Sequence, residues 1–345
     1  MNQTRIEAYG MTIGQLPKGK LNKISDVIGV TVGHYTVNDK EHQTGVTVVM
    51  PCTDNPYLKK ITAAMHVING FGKTTGLMQI EELGVLESPI YLTNTLNVGK
   101  VFDAAVTHMV KTCERENIKL STYNPVICEC NDAYLNAITE RVVDEAMVLK
   151  AIDAATLDFE EGAIGAGRGM SCHHLKGGIG SASRLVSLLD HTYTVGVMVL
   201  SNHGTLNDFT FSGRHVGPLL KAHIEGEAEP EKGSIIVVVA TDLPLSERQL
   251  KRLLKRVPIG LAKTGSYIGH GSGEVAIGFT TANRIPSDGF IQIKTLPDDL
   301  LDVPFHAVAE AVEESVLNSL ITAESVVGVE GHQRKSLQDF IHFII

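Results

Sequence analysis

The run Ser234–Ala240 (SIIVVVA) constrains this chain more than any other segment. It is almost wholly β-branched and stops at Thr241–Asp242, which reads as a short buried strand ending in a turn. It is fed directly by Glu225–Gly233 (EGEAEPEKG), a polar stretch with one proline that reads as a surface loop. A solvated loop thus delivers Gly233–Ser234 to the head of a rigid, buried element.

The rest of the chain repeats this texture. Val27–Val32, Gly45–Met50, Tyr193–Leu200 and Val275–Thr280 are short apolar runs bounded by turn formers, and each is expected to be a strand. Helices are expected over Val98–Cys113, Leu135–Ile152 and Pro304–Ile321. Another begins at Ser246, whose spacing to Gln249 is a capping box. Leu250, Leu253, Leu254 and Val257 mark its apolar face, Gly265 is its stop, and Pro258 should kink or shorten it. With 33 glycines, no tryptophan and no internal repeat, the 345 residues suit tightly turned sheets with helices packed on them.

Charge and composition remove several function classes. A net charge of −9 does not attract polyanions, so nucleic acid is not an expected partner. It mildly favours amine substrates, although such charge mostly serves solubility. Five cysteines, an odd number, do not make a complete disulfide framework. Neither a signal peptide nor a membrane span is legible, so a cytoplasmic protein is expected. The apolar end Phe340–Ile345 (FIHFII) is expected to be a docked tail or a subunit contact.

The junction Gly233–Ser234 has the parts an N-terminal nucleophile needs. A hydroxyl attacks the carbonyl before it in an N-to-O acyl shift, and glycine best tolerates the strain there. Hydrolysis of the ester frees an α-amine with a reference pKa of about 7.7–8.0, which can act as the base for its own Oγ. The following strand holds the nucleophile in place. Gly-Ser before a strand is common, however, and does not identify the chemistry unaided.

Longer strings carry a resemblance. Asp26–Gly33 (DVIGVTVG), His66–Gly76 (HVINGFGKTTG), Ser88–Gly99 (SPIYLTNTLNVG), Gly177–Arg184 (GGIGSASR), Gly233–Asp242 (GSIIVVVATD) and Leu261–Glu274 (LAKTGSYIGHGSGE) resemble the DmpA-type L-aminopeptidase/D-esterase family, which includes the β-peptidyl aminopeptidases. The resemblance implies a four-layer αββα sandwich over residues 1–345, cut into an α chain, 1–233, and a β chain, 234–345. It implies a homotetramer of such pairs and needs no metal or organic cofactor. Ser234 is then the nucleophile. Ser272 and Glu274 orient it and tune its protonation, and Asn202 is an oxyanion donor. One position departs from the family: Asn131 aligns with a tyrosine implicated in holding the reacting carbonyl or the substrate end. Asn131 can donate from its amide with a different reach, and Tyr134 is the alternative source of a phenol. Glu129 and Asp132, in the same loop, are expected to face solvent rather than a substrate ammonium.

Other motifs are weaker. Gly72–Lys73–Thr74 lacks the leading glycine of a phosphate loop, because position 67 is Val. Gly165–Gly169 misplaces the third glycine of a dinucleotide turn. Cys172–His173–His174 and Cys128–Glu129–Cys130 lack a second pair at zinc spacing, and nothing marks a partner for Cys172 as a nucleophile. Two other functions stay open: an acyl transferase of the ornithine acetyltransferase type, which uses Thr at the cut, and an uncleaved member that binds or scaffolds.

Overall fold

The computed structural model describes residues 3–224 and 233–345. Of the expected loop Glu225–Gly233, only Gly233 falls within them. Two sheets form the centre. The smaller one joins β1 (Thr31–Asn38), β2 (Gln43–Met50), β5 (Ile90–Asn94) and β6 (Val126–Cys130) in the order β1-β2-β5-β6. The larger one has the order β4-β3-β14-β13-β10-β9. Its members are β3 (Lys59–Gly70), β4 (Val85–Leu86), β9 (Gly178–Leu188), β10 (His191–Asn202), β13 (Ser234–Thr241) and β14 (Gly273–Pro286). The remaining strands are two-residue ladders: β7 (Ser171–Cys172) with β8 (Leu175–Lys176), β11 (Thr210–Phe211) with β12 (Arg214–His215), and β15 (Val326–Val327) with β16 (Gln333–Arg334).

Period-two alternation makes β13 the keystone. Ile235, Val237 and Val239 enter a core shared with the helices, whereas Ile236, Val238 and Ala240 enter a core between the two sheets. A continuous apolar run is what a strand buried on both faces requires. The outer helices on one side are α5 (Glu247–Leu254), α6 (Val257–Lys263) and α7 (Asp302–Ile321). Leu250, Leu253, Leu261, Val308 and Val312 fill their share of the first core. On the other side α2 (Val98–Arg115) and α3 (Glu145–Asp153) close a third core over Val46, Val48, Tyr91 and Ile127 of the small sheet. The layers run αββα, as expected. Two parallel pairs, β5–β6 and β13–β14, arise because α2 and the α5–α6 pair cross over between their strands. The shorter helices α1 (Leu77–Leu83) and α4 (Gly217–Lys221) lie between strands.

Local chemistry sets the helix boundaries. Ser246 Oγ accepts from Gln249 N at 3.3 Å and Gln249 Oε1 accepts from Ser246 N at 3.1 Å, which is the expected capping box. The helix stops at Leu254, and a second one starts with Pro258 in its first turn, where proline lacks no needed donor. Two expectations fail. The helix read over Leu135–Ile152 begins only at Glu145, because Asp144 caps it by accepting from Met147 N at 2.9 Å. Arg141, at φ 51°, has already broken any earlier turn. The strand read at Val27–Val32 begins at Thr31, because Gly29, at φ 90°, turns the chain after a 3-10 segment. The apolar end is docked: Leu337, Phe340, Ile341 and Ile344 belong to the helix-side core.

Helix α7 lies on β9 so closely that a Cβ on Gly180 would sit 2.0 Å from the Ser315 carbonyl oxygen. Gly180→Ala is therefore expected to cost about 1–3 kcal/mol through overpacking. The check is a lower urea midpoint at unchanged m-value.

Candidate active site

The register brings the distant motifs to one place. Ser234 pairs with Asn202 of β10 on one side and with Gly273 of β14 on the other. The nucleophile candidate thus stands between Asn202 and the Ser272–Glu274 segment. Ser234 shares the inter-sheet face of Ile236 by alternation, and it is 6% exposed. Ser272 and Glu274 are both fully buried. Gly273 N donates to the Gly233 carbonyl at 3.1 Å, so the bond before Ser234 is held by the neighbouring strand.

Glycine at 233 meets a need beyond the one expected: a Cβ there would lie 2.0 Å from the Asn202 carbonyl oxygen. Close backbone approach excludes a side chain. The same holds at Gly273, where a Cβ would lie 2.5 Å from the Phe71 carbonyl oxygen.

Asn202 is fixed in plane. Its Oδ1 accepts from Ser171 N at 2.8 Å and its Nδ2 donates to the Asn131 carbonyl at 3.0 Å. Both partners are backbone groups, so the orientation of the amide is unambiguous. Ser171 is itself braced, since its Oγ accepts from Arg334 Nε at 3.1 Å. The Arg334 guanidinium lies 3.5 Å from the centre of the Tyr134 ring, and His332 stacks on that ring at 4.6 Å. Lys176 clamps the same loop. Its fully buried ammonium donates to the carbonyls of Gly167, Met170 and Gly177 at 2.9, 2.7 and 2.6 Å. Burial, with the Arg168 charge adding to it, holds the Lys176 pKa well below the usual lysine value.

Asn131 meets this network through its backbone carbonyl. Its side-chain Oδ1 is turned back to accept from Ala133 N at 2.9 Å, an Asx turn. Tyr134 is linked to Asn202 through Arg334 and Ser171. Glu129 and Asp132 correct the expectation of solvent exposure, because both are buried. Glu129 accepts from Lys73 N at 2.9 Å and from the Thr95 hydroxyl. Asp132 accepts from Thr44 Oγ1 at 2.6 Å, Asn136 Nδ2 at 3.0 Å and Asn94 Nδ2 at 3.2 Å. Burial pushes the Cys130 thiol well above its ordinary pKa and the Glu129 carboxylate adds to this, while a hydrogen bond with Ser234 opposes it. Cys130 is thus a neutral neighbour of Ser234 and not a rival nucleophile.

Sequence reasoning missed Asn69, Ser171, Lys176 and Arg334. Asn69 Nδ2 donates to the carbonyls of Gly269 and His270 at 3.0 and 3.2 Å and to that of Ser272, tying down the glycine-rich loop. The Asn69–Gly70 dipeptide reads as a turn, and nothing local signals a strand end at that loop.

Two face-packed sheets under helices, with a serine heading a central strand, define a hydrolase of the N-terminal-nucleophile fold. The profile of Peptidase family S58 matches residues 22–334, and the chain belongs to that family. It is 35% identical over 335 residues to the beta-peptidyl aminopeptidase BapA of Sphingosinicella xenopeptidilytica, covering 90% of this chain and 83% of that one. Its fold matches the PH0078 protein of Pyrococcus horikoshii OT3 at a TM-score of 0.93 and 43% identity, over 99% of this chain and 98% of that one. It also matches the L-aminopeptidase D-Ala-esterase/amidase of Ochrobactrum anthropi, described as a prototype for the serine aminopeptidases and a variant of the Ntn-hydrolase fold. That match has a TM-score of 0.90 and 32% identity, over 99% of this chain and 98% of that one. The chain is thus a peptide-bond hydrolase of the aminopeptidase class. Among the described residues, no helix is long and apolar enough to cross a membrane.

Burial raises the Asp132 carboxyl to about 6 against the pull of the Thr44, Asn136 and Asn94 hydrogen bonds. The folded state then binds this proton more tightly than the unfolded one, so stability falls as pH rises between about 4 and 6. The expected loss is on the order of 2–3 kcal/mol. Asp132→Asn should flatten this slope, measured as urea midpoints at about pH 4 and about pH 7 for both proteins.

Proposed function

We propose that the chain is a self-processing serine aminopeptidase that releases N-terminal residues from short peptides, amino-acid amides or esters through an acyl-enzyme on Ser234. The observation that carries this is the position of Ser234 at the head of a strand buried on both faces, between Asn202 and Gly273. Processing begins when Ser234 Oγ attacks the Gly233 carbonyl carbon. Negative charge develops on the oxygen that Gly273 N already holds at 3.1 Å. Collapse breaks the Gly233–Ser234 C–N bond and leaves an ester. Water hydrolyses it, releasing Gly233 as a carboxylate and Ser234 with a free amine. β13 stays in place because both its faces and both its edges are occupied.

In turnover the Ser234 amine takes the proton from Oγ as Oγ adds to the substrate carbonyl. Asn202 is locked by Ser171 and Asn131, and its second amide hydrogen serves the oxyanion. The leaving amine takes the proton back, and water then releases the N-terminal residue. Ser272 and Glu274, on either side of the pairing partner Gly273, orient the new amine. Glu129, buried beside Cys130, is the anion suited to a substrate ammonium, in keeping with an aminopeptidase. That the relatives carry the names of aminopeptidases supports the hydrolytic reading over acyl transfer to an acceptor amine. The family resemblance implies a homotetramer of αβ pairs, and light scattering of the purified protein checks the assembly.

Ser234→Ala is expected to leave one band of 37.2 kDa on a denaturing gel, where the parent protein gives two fragments. If the variant still splits, Ser234 is not the nucleophile. Processed Asn202→Ala should lose about 10²–10³-fold in kcat on amino-acid p-nitroanilides, with a much smaller change in KM. An unchanged kcat would remove Asn202 from the mechanism.

A further inference from the structure

The geometry points to a buried zinc(II) site formed by Cys172, His173 and His203, next to the strand end that carries Asn202. Ligand atoms of the three side chains lie within 4.8 Å of one another, and all three residues are buried. The sequence pairs Cys172 with His173 and His174. The fold instead supplies the third ligand from the far side of the β9–β10 hairpin, where His173 N donates to the His203 carbonyl at 2.8 Å. Room for the His173 ring depends on Gly204, since a Cβ there would lie 2.3 Å from its Cε1.

The imidazoles are set up as ligands. His173 Nδ1 donates to the Thr205 carbonyl at 3.0 Å, which puts its proton on Nδ1 and leaves Nε2 as a bare lone pair. An outer hydrogen bond from the non-ligating nitrogen to a backbone carbonyl is how metal-bound histidines are usually fixed. Nε2 of His173 and Nε2 of His203 are both buried without a hydrogen-bond partner among the described residues.

Cys172 Sγ stands 3.8 Å from His203 Nδ1. An ion at about 2.3 Å from sulfur and about 2.1 Å from nitrogen would subtend roughly 120° across that gap, between tetrahedral and trigonal. Without an ion the gap holds a weak S–H···N contact, and His173 Nε2 is left unsatisfied in the interior at a cost of about 1–3 kcal/mol. Binding forms a Zn–S bond, and the thiol proton leaves to solvent. The site is enclosed, so the ion enters during folding. It would staple two chain segments: Cys172 follows Ser171, whose N–H holds Asn202, and His203 follows Asn202.

The test uses the whole protein, produced in medium supplemented with zinc or, in parallel, with cobalt. About one ion per chain should survive gel filtration with EDTA. The cobalt form should show a near-ultraviolet thiolate-to-metal band that both Cys172→Ser and His203→Asn abolish. Ser234→Ala should retain the full metal content, which separates this site from the proposed nucleophile. If either ligand variant fails to fold, release of one zinc on denaturing the parent protein with a chromogenic chelator decides the matter. Folded parent protein holding far less than one zinc per chain overturns the assignment. So does a cobalt band that survives in a folded ligand variant.

Discussion

Everything near Ser234 depends on one constraint: β13 has no face and no edge toward water. Helices cover one side, the small sheet covers the other, and β10 and β14 occupy its edges. A residue at the head of such a strand inherits a position fixed by dozens of van der Waals contacts rather than by its own interactions. A side chain at that position is held in place by the packing of the strand that carries it. The same burial explains why Gly233 is forced into contact with the Asn202 backbone.

The polar part of the site follows a different logic. Asn202 is locked by two backbone partners, and these are steadied by groups from far along the chain. Lys176 spends its ammonium on three carbonyls of one loop, and Arg334 bridges Ser171 to the Tyr134 ring. Buried polar networks of this kind specify one arrangement when every member is satisfied. Asp132 shows the cost of the approach: three donors do not fully offset the desolvation of its carboxylate.

Much of this architecture is legible in the order of the amino acids. The β-branched run of β13, the capping box at Ser246 and the docked apolar end each follow from period, cap chemistry and composition. The family strings named Ser234, Asn202, Ser272 and Glu274, and the register places the first two opposite each other with Gly273 between the last two. The failures have physical causes. Val27 and Val30 are apolar because they are buried on either side of a turn at Gly29, not because they lie in a strand, and Ile28 between them is exposed. Glu129 and Asp132 look like solvent residues because sequence cannot show the amide, hydroxyl and backbone donors that meet them inside. Asn69, Lys176 and Arg334 act through contacts many tens of residues away or through backbone carbonyls, and no local pattern encodes either.

The β15–β16 hairpin is attached to the molecule in an unusual way. Its ladder is separate from both sheets, and it is seated by Val329 N donating to the Leu135 carbonyl at 3.0 Å and by a Gly328 too close to Leu135 for any Cβ. Yet it carries His332 and Arg334 to the edge of the Asn202 network. Because no core residue of the sheets depends on its tip, exchange of this short hairpin between relatives offers evolution, or an engineer, a way to reshape that edge while leaving the load of folding untouched.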